Sequence, residues 1–424
     1  MAETLPSAIE QELLGIKNLL WGNEIKPDIF KRWSQGFYFS GNERSALEQS
    51  EGGPCAILAP VQAFILKNLL LQYKDLSFRE KVTLEIQNHS LIQALIEILS
   101  QCTSQKYYVV YLDSECSESL SASDMNGDKN DNCAESSIGN VNMYTTLAVD
   151  PLRFHEELRV HCFQCLDDVN KYYCENIEKL KAQYGVLLFL YSVIASKGLE
   201  QVKSESDTQD SLIDETYGYG SQSLINLMIT GRATTYVWDH DQDVGGLKLR
   251  GLEKQSQIGF ITIMEYHRFC TVGSYYKNPI HPVWVVASDT HLTVLFSDER
   301  KLVSPETKSE QARRVFKSFD PDGNNFIGSD KLGDVLRALD LVSELEYVNI
   351  MRKKLDAENL GIILLNAFMD EFFPKEESST PDMFTLVHYN GLAQSNVCGQ
   401  VQYHIVSDTL GILFKICMRA RTPC

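Results

Sequence analysis

Between Ala56 and Leu71 almost every position is apolar: Ile57, Leu58, Val61, Phe64, Ile65, Leu66, Leu69, Leu70 and Leu71. A helix that is hydrophobic on all sides is buried, so this stretch predicts a central rod inside the core. Tyr184 to Ala195 repeats the pattern and predicts a second buried helix, too short to span a bilayer. Elsewhere the pattern is one-sided. Ile9, Leu13, Leu14 and Ile16 give an amphipathic helix over residues 6–20, and Val82 to Leu99 alternate with charge to give one or two helices over Phe78–Cys102. The aromatic-rich segment from Ile29 to Phe39 is expected to pack on the central rod. Lys106–Leu112 predicts a strand, and residues 151–204 read as helices throughout. Val283–Val286 and His291–Phe296 read as two strands around a tight turn, with alternation placing His291, Thr293 and Leu295 on one face. In Tyr217–Gly231 a glycine-rich loop leads to a Ser221 N-cap, a short helix and a terminal glycine, which predicts a well-capped helix lining a groove. The loop lacks the Lys-Ser/Thr ending of a nucleotide-binding loop. Apolar anchors almost vanish between Asp113 and about Asn142, the composition of a disordered acidic insertion.

Composition narrows the function classes. The chain of 424 residues carries a formal charge of −18, which disfavours nucleic acid as a partner and suits a basic protein surface. Eleven irregularly spaced cysteines, with no signal-peptide pattern at the N-terminus, are expected to be reduced thiols in the nucleus or cytoplasm. His161 and Cys162–Cys165 have a Cys-x-x-Cys spacing, but a structural zinc site needs four ligands and no second pair lies nearby. His240 in the acidic loop Trp238–Asp243 is expected to face solvent.

Candidate chemistry sits at the start of the central rod. Gly52-Gly53-Pro54-Cys55 delivers the chain through a glycine pair into a helix whose first turn holds Pro54 and Cys55. The positive end of the helix favours thiolate there. Gln49, six positions upstream, can return its side-chain amide beside the sulfur to donate to an oxyanion. The competing reading is a packed core thiol, since free cysteine is among the most buried residue types. Pro60 is expected to kink the rod at a cost on the order of 3 kcal/mol.

A nucleophilic cysteine needs a base. His291, at the mouth of a predicted strand, can face a helix tip packed on the sheet, and an imidazole there would take the thiol proton and hold an ion pair near neutral pH. His388 and His404, in C-terminal strand-like segments, are its rivals. Asp289, Thr293, Asp298 and Asn390 are all candidates to orient the imidazole, and the pattern does not choose among them.

Downstream, Asp320, Asp322 and Asn324 occupy the first, third and fifth positions of an EF-hand-like loop, but its sixth position is Asn325 and its twelfth is Lys331, a cation where a bidentate glutamate belongs. The pattern repeats thirty-six positions later from Asp356, with Leu360 fifth and Ala367 twelfth. Helices expected at Glu310–Phe319, Asp330–Leu341, Tyr347–Leu355 and Asn366–Phe373 complete a pair, read as a degenerate EF-hand-like unit kept for packing or docking without bound metal.

Gln49 with Gly52–Phe64, Tyr184–Ser192, Gly220–Leu227 and Thr290–Val294 together resemble the MINDY family of deubiquitinases, nearest to its third, EF-hand-like branch, over about Arg32 to Leu392. The resemblance implies an α+β, papain-like cysteine peptidase fold, a central helix packed on a β-sheet with the helical module inserted. It divides the chain into a catalytic domain (1–302), the EF-hand-like pair (303–376) and C-terminal strands returning to the catalytic domain (381–424). The implied activity is hydrolysis of isopeptide bonds in lysine-48-linked polyubiquitin, with Cys55 the nucleophile, His291 the general base and Gln49 the oxyanion donor. Polyubiquitin chains and ubiquitinated proteins are the implied partners of a monomer that needs no cofactor, metal, nucleic acid or membrane. The alternative is a non-catalytic ubiquitin-binding or calcium-sensor-like scaffold. Two stretches depart from the family: the 113–142 insertion, and Leu410–Cys424 at the C-terminus.

Overall fold

The computed structural model describes residues 8–103, 105–113, 150–207, 210–375, 381, 383–396 and 399–406. The acidic insertion from residue 114 onward and the divergent C-terminus lie outside them. The protein is a mixed α and β structure built around the helix Cys55–Tyr73. Fifteen of that helix's nineteen residues are buried, including Gln62 and Lys67. By length and composition it could cross a membrane, but protein encloses it. The polar intruders are satisfied: Gln62 accepts from Leu47 N–H at 2.7 Å and donates to the Ser45 carbonyl at 3.0 Å, and Lys67 pairs with Glu97. The helix runs unbroken through Pro60, whose missing N–H leaves the Ala56 carbonyl without its helical partner.

A five-stranded sheet packs against this helix. Its strands are β1 (Gly259–Thr262), β2 (Val283–Ala287), β3 (Leu292–Phe296), β4 (Val387–Tyr389) and β5 (Tyr403–Ile405), in spatial order β5-β4-β3-β2-β1. Only the β1–β2 pair is parallel. The alternation of β3 sorts its residues cleanly. Leu292, Val294 and Phe296 join the main core, while Leu295 joins Trp284, Leu302 and Leu386 in a smaller cluster on the far face. The second apolar run forms the helix Gly185–Lys197, all but one of its residues buried, and Ser192 and Ser196 on it bond the strand Tyr107–Leu112.

One predicted helical segment is a strand. Leu158–Phe163 pairs antiparallel with Tyr107–Leu112 in full register, Val109 opposite His161. Its period-two alternation, Leu158 buried and Arg159 exposed, is short enough to vanish inside a window dominated by flanking helices. His161 stacks on Tyr111 at 4.1 Å, and Cys162 and Cys165 are exposed free thiols.

Between β3 and β4, which are hydrogen-bonded neighbours, the chain makes a long excursion. Helices Lys308–Ser318, Leu332–Ala338, Leu345–Leu355 and Leu365–Phe372 enclose a separate core of Ala312, Phe316, Ile327, Val335, Ile363 and Phe368, and the strands Phe326–Gly328 and Ile362–Leu364 pair through Ile327 and Ile363.

Candidate active site

Cys55 is the first residue of the central helix and Pro54 its N-cap, so the cysteine stands one position nearer the tip than a proline at the first helical position would place it. Gly53 enters with φ 133, and a Cβ there would meet the Trp33 indole nitrogen at 3.0 Å, so the bend requires glycine. Cys55 is nearly enclosed, with 5% exposure. Its thiol donates to the Gly53 carbonyl at 3.7 Å. Backbone amides of Leu292, Ala56 and Cys55 favour its anion, but burial outweighs them and pushes the thiol above its ordinary value.

Leu292 is the residue after His291, so the mouth of β3 touches the sulfur. His291 itself stands in the turn before the strand rather than on the alternating ladder. Its carbonyl accepts from Ser288 N–H at 2.9 Å and its own N–H donates to Ser288 Oγ at 3.2 Å. Its ring nitrogen Nε2 lies 2.9 Å from Asn390 Oδ1. Asn390 Oδ1 also accepts from Leu392 N–H at 3.0 Å, and a backbone N–H can only donate. The amide oxygen is therefore the atom facing the ring, and Nε2 must carry the proton. In the neutral ring the lone pair is then on Nδ1, the tautomer a base needs when its far edge is held.

The same short segment holds Gln49. Gln49 N–H donates to the Gly391 carbonyl at 2.8 Å, and Gln49 bridges Leu392 in parallel. A Cβ on Gly391 would sit 2.2 Å from the Tyr389 hydroxyl, which itself donates to the Leu47 carbonyl at 2.6 Å. Asn390-Gly391-Leu392 thus staples the glutamine's strand to the histidine's ring. The Gln49 side chain is buried, its Nε2 donating to the Glu51 carbonyl at 2.7 Å.

The expected thiolate–imidazolium pair meets opposition from burial. Desolvation lowers His291 below its ordinary value, partly offset by the Asn390 bond, and raises Cys55, so both groups favour the neutral thiol–imidazole form in this state. Of the proposed orienters only Asn390 reaches the ring among the described bonds. Asp289 is exposed in the turn. Of the rivals, His388 pairs with Leu295 and His404 across the ladder and lies within electrostatic reach of His291, while its neighbour Tyr389 joins the main core. Asn390 could not be chosen from sequence because its link to His291 spans 99 positions.

A helix-tip cysteine, a histidine held by an amide and a buried glutamine are residue types that thiol hydrolases use. In comparison with known proteins, residues 17–317 match the family model described as deubiquitinating enzyme MINDY-3/4, conserved domain. A MINDY-3 homolog named ubiquitin carboxyl-terminal hydrolase in Drosophila melanogaster is 50% identical, covering 96% of this chain and 78% of the relative. The Homo sapiens MINDY-3 hydrolase is 47% identical, covering 94% and 89%, and a probable MINDY-4 hydrolase of Xenopus tropicalis is 29% identical, covering 68% and 37%. No solved structure matches. The chain belongs to the MINDY-3/4 family of deubiquitinating enzymes.

Proposed function

We propose that the protein is a thiol-dependent, papain-like deubiquitinase that hydrolyses isopeptide bonds in lysine-48-linked polyubiquitin. The observation that carries this reading is the Leu292 backbone at the helix-tip cysteine, next in sequence to a His291 ring whose tautomer the Asn390 amide fixes. His291 Nδ1 takes the Cys55 proton as the sulfur attacks the carbonyl carbon of ubiquitin's C-terminal glycine. The developing oxyanion is met by Gln49 Nε2, once it leaves the Glu51 carbonyl, together with an amide at the helix tip. The imidazolium then protonates the departing lysine amine. Water, deprotonated by His291, releases the acyl group and restores the thiol. The helix–loop–helix pair is read as an EF-hand-like unit serving packing or docking. The eleven cysteines suit a reducing compartment, nucleus or cytoplasm, and the −18 charge suits a basic substrate surface.

The test is cleavage of lysine-48-linked chains by wild type and Cys55→Ala. Loss of more than about 10³-fold in turnover is expected for removal of a nucleophile. Equal activity in both would overturn the enzyme reading in favour of a ubiquitin-binding scaffold.

A further inference from the structure

One motif beside Cys55 has no part in the chemistry above: the loop Tyr217-Gly218-Tyr219-Gly220. It is pressed onto the helix tip. A Cβ on Gly220 would lie 2.3 Å from the Ala56 Cβ, and one on Gly53 would lie 3.3 Å from the Gly218 carbonyl oxygen. The loop therefore contacts the chain on both sides of Pro54–Cys55. It is also held from behind. Trp33 Nε1 donates to the Gly218 carbonyl at 2.9 Å, and Gly218 N–H and the Tyr219 carbonyl both bond the Asp214 backbone at 2.8 Å. Gly218, at φ +75 with no room for a Cβ beside Ile29 and Arg32, locks the turn.

Arg32 joins this loop to the nucleophile's loop. Its Nη2 donates to the Tyr217 carbonyl at 2.8 Å and its Nη1 to the Gly52 carbonyl at 3.1 Å. A guanidinium presents several donors in a rigid fork, so one side chain fixes the separation of two backbones. The rings it leaves outside are an aromatic pair: Tyr217 is 63% exposed and stacks on half-buried Tyr219 at 5.9 Å and 15°. The rigid loop thus presents a flat aromatic surface to solvent beside a buried sulfur that the Leu292 backbone also meets.

We propose that Tyr217–Gly220 is a wall of the channel that receives the glycine-ended C-terminal tail of ubiquitin, with Tyr217 and Tyr219 as specificity-determining residues and Arg32 as the residue that positions the wall. This rests on the deubiquitinase reading above. Tyrosine rings give extended contact area at little entropic cost. A wall packed this tightly on Gly53 and Ala56 suits a tail without side chains next to the scissile carbonyl.

The experiment uses the full chain with ubiquitin joined at its C-terminus to a fluorogenic amine, and reads three quantities: KM, kcat, and the rate of Cys55 alkylation by iodoacetamide followed by peptide mass spectrometry. Tyr217→Ala is expected to raise KM about tenfold with kcat and alkylation each within about twofold of wild type. Tyr217→Phe should restore KM. Arg32→Ala should raise KM and lower kcat together, with Arg32→Lys recovering only part because it cannot span both carbonyls. An unchanged KM in Tyr217→Ala, or an alkylation rate that falls as KM rises, overturns the wall. Those outcomes leave wild-type cleavage intact, whereas wild type that cleaves no ubiquitin conjugate overturns the deubiquitinase reading and the wall with it.

Discussion

The surroundings of Cys55 and the paired loops between β3 and β4 both begin as short polar motifs, and the structure treats them in opposite ways. In the loops the backbone is kept. The fourth and sixth positions are left-handed in both: Gly323 and Asn325 at φ 67 and 61, Asn359 and Gly361 at φ 55 and 77. Glycine and asparagine are the residues that tolerate this region. The carboxylates, however, are turned onto their own chain. Asp320 accepts from Asn324 and Asn325 N–H at 3.1 and 2.7 Å, and Asp356 from Leu360 and Gly361 N–H at 2.7 and 2.8 Å. Around Cys55 the polar groups instead reach across the molecule: Asn390 to His291, Gly391 to Gln49, Leu292 to Cys55. A loop's backbone can rest on turn chemistry and a small core, whereas the set around Cys55 consists of its long-range ties.

The largest break in that comparison comes from Gln49. Gln49→Ala leaves the backbone bond to Gly391 in place and removes only the side-chain donor. Turnover on polyubiquitin is expected to fall by roughly 10²–10³, with iodoacetamide alkylation of Cys55 little changed because that reaction develops no oxyanion. Unchanged turnover would take Gln49 out of the oxyanion role and leave it a structural staple.

A smaller effect is expected at Asn390, and its signature is in pH. The base must be neutral to accept the thiol proton. Burial lowers His291 from its ordinary 6.5, so the acidic limb of kcat/KM should lie below that value, with activity rising as pH rises through it. The Asn390 bond favours the charged ring and raises the pKa. Asn390→Ala should therefore move the limb to still lower pH and lower turnover by about tenfold to hundredfold, part of the roughly 10²–10⁴ that a positioned base supplies. A limb that moves upward, or that sits above the ordinary histidine value in wild type, would contradict the tautomer assignment.

What the sequence made legible was whatever is written locally. The all-apolar run of the central helix, the Ser221 cap that accepts from Leu224 N–H at 3.3 Å, the Gly231 cap at φ 73 and the four helices of the excursion all follow from neighbours within a few positions. Gln49 and Cys55 are local as well, six positions apart across a glycine bend. Two kinds of information were missing. The strand Leu158–Phe163 depends on a partner about fifty positions upstream, and its own alternation is weak beside the helices on either side. The orienting amide and the tyrosine wall depend on segments that meet only when the sheet closes, Asn390 on β3 through the β3–β4 pairing and Tyr217 on the helix tip through Arg32. The charge state of Cys55 and His291 was hidden for another reason. Helix-tip position argues for thiolate, while burial argues against it, and burial is a property of the assembled core.

The smallest effect predicted is in the loops, and its smallness is the point. Each leading carboxylate already satisfies two backbone N–H groups, and calcium would have to displace those bonds. The twelfth positions offer Lys331, paired with Asp330 at 3.7 Å, and Ala367, so neither loop supplies the bidentate carboxylate that closes such a site. Among the described residues no group of three or more His, Cys, Asp or Glu side chains is gathered to hold a metal. Ligand binding raises stability only in proportion to how far its concentration exceeds the dissociation constant. Calcium at about 1 mM should therefore shift the melting temperature by less than about 1 °C and leave polyubiquitin cleavage unchanged, with Asp320→Ala behaving alike with and without the ion. A calcium-dependent rise of several degrees that Asp320→Ala removes would show that the first loop still binds, and would erase the contrast between a retained site and a retained scaffold.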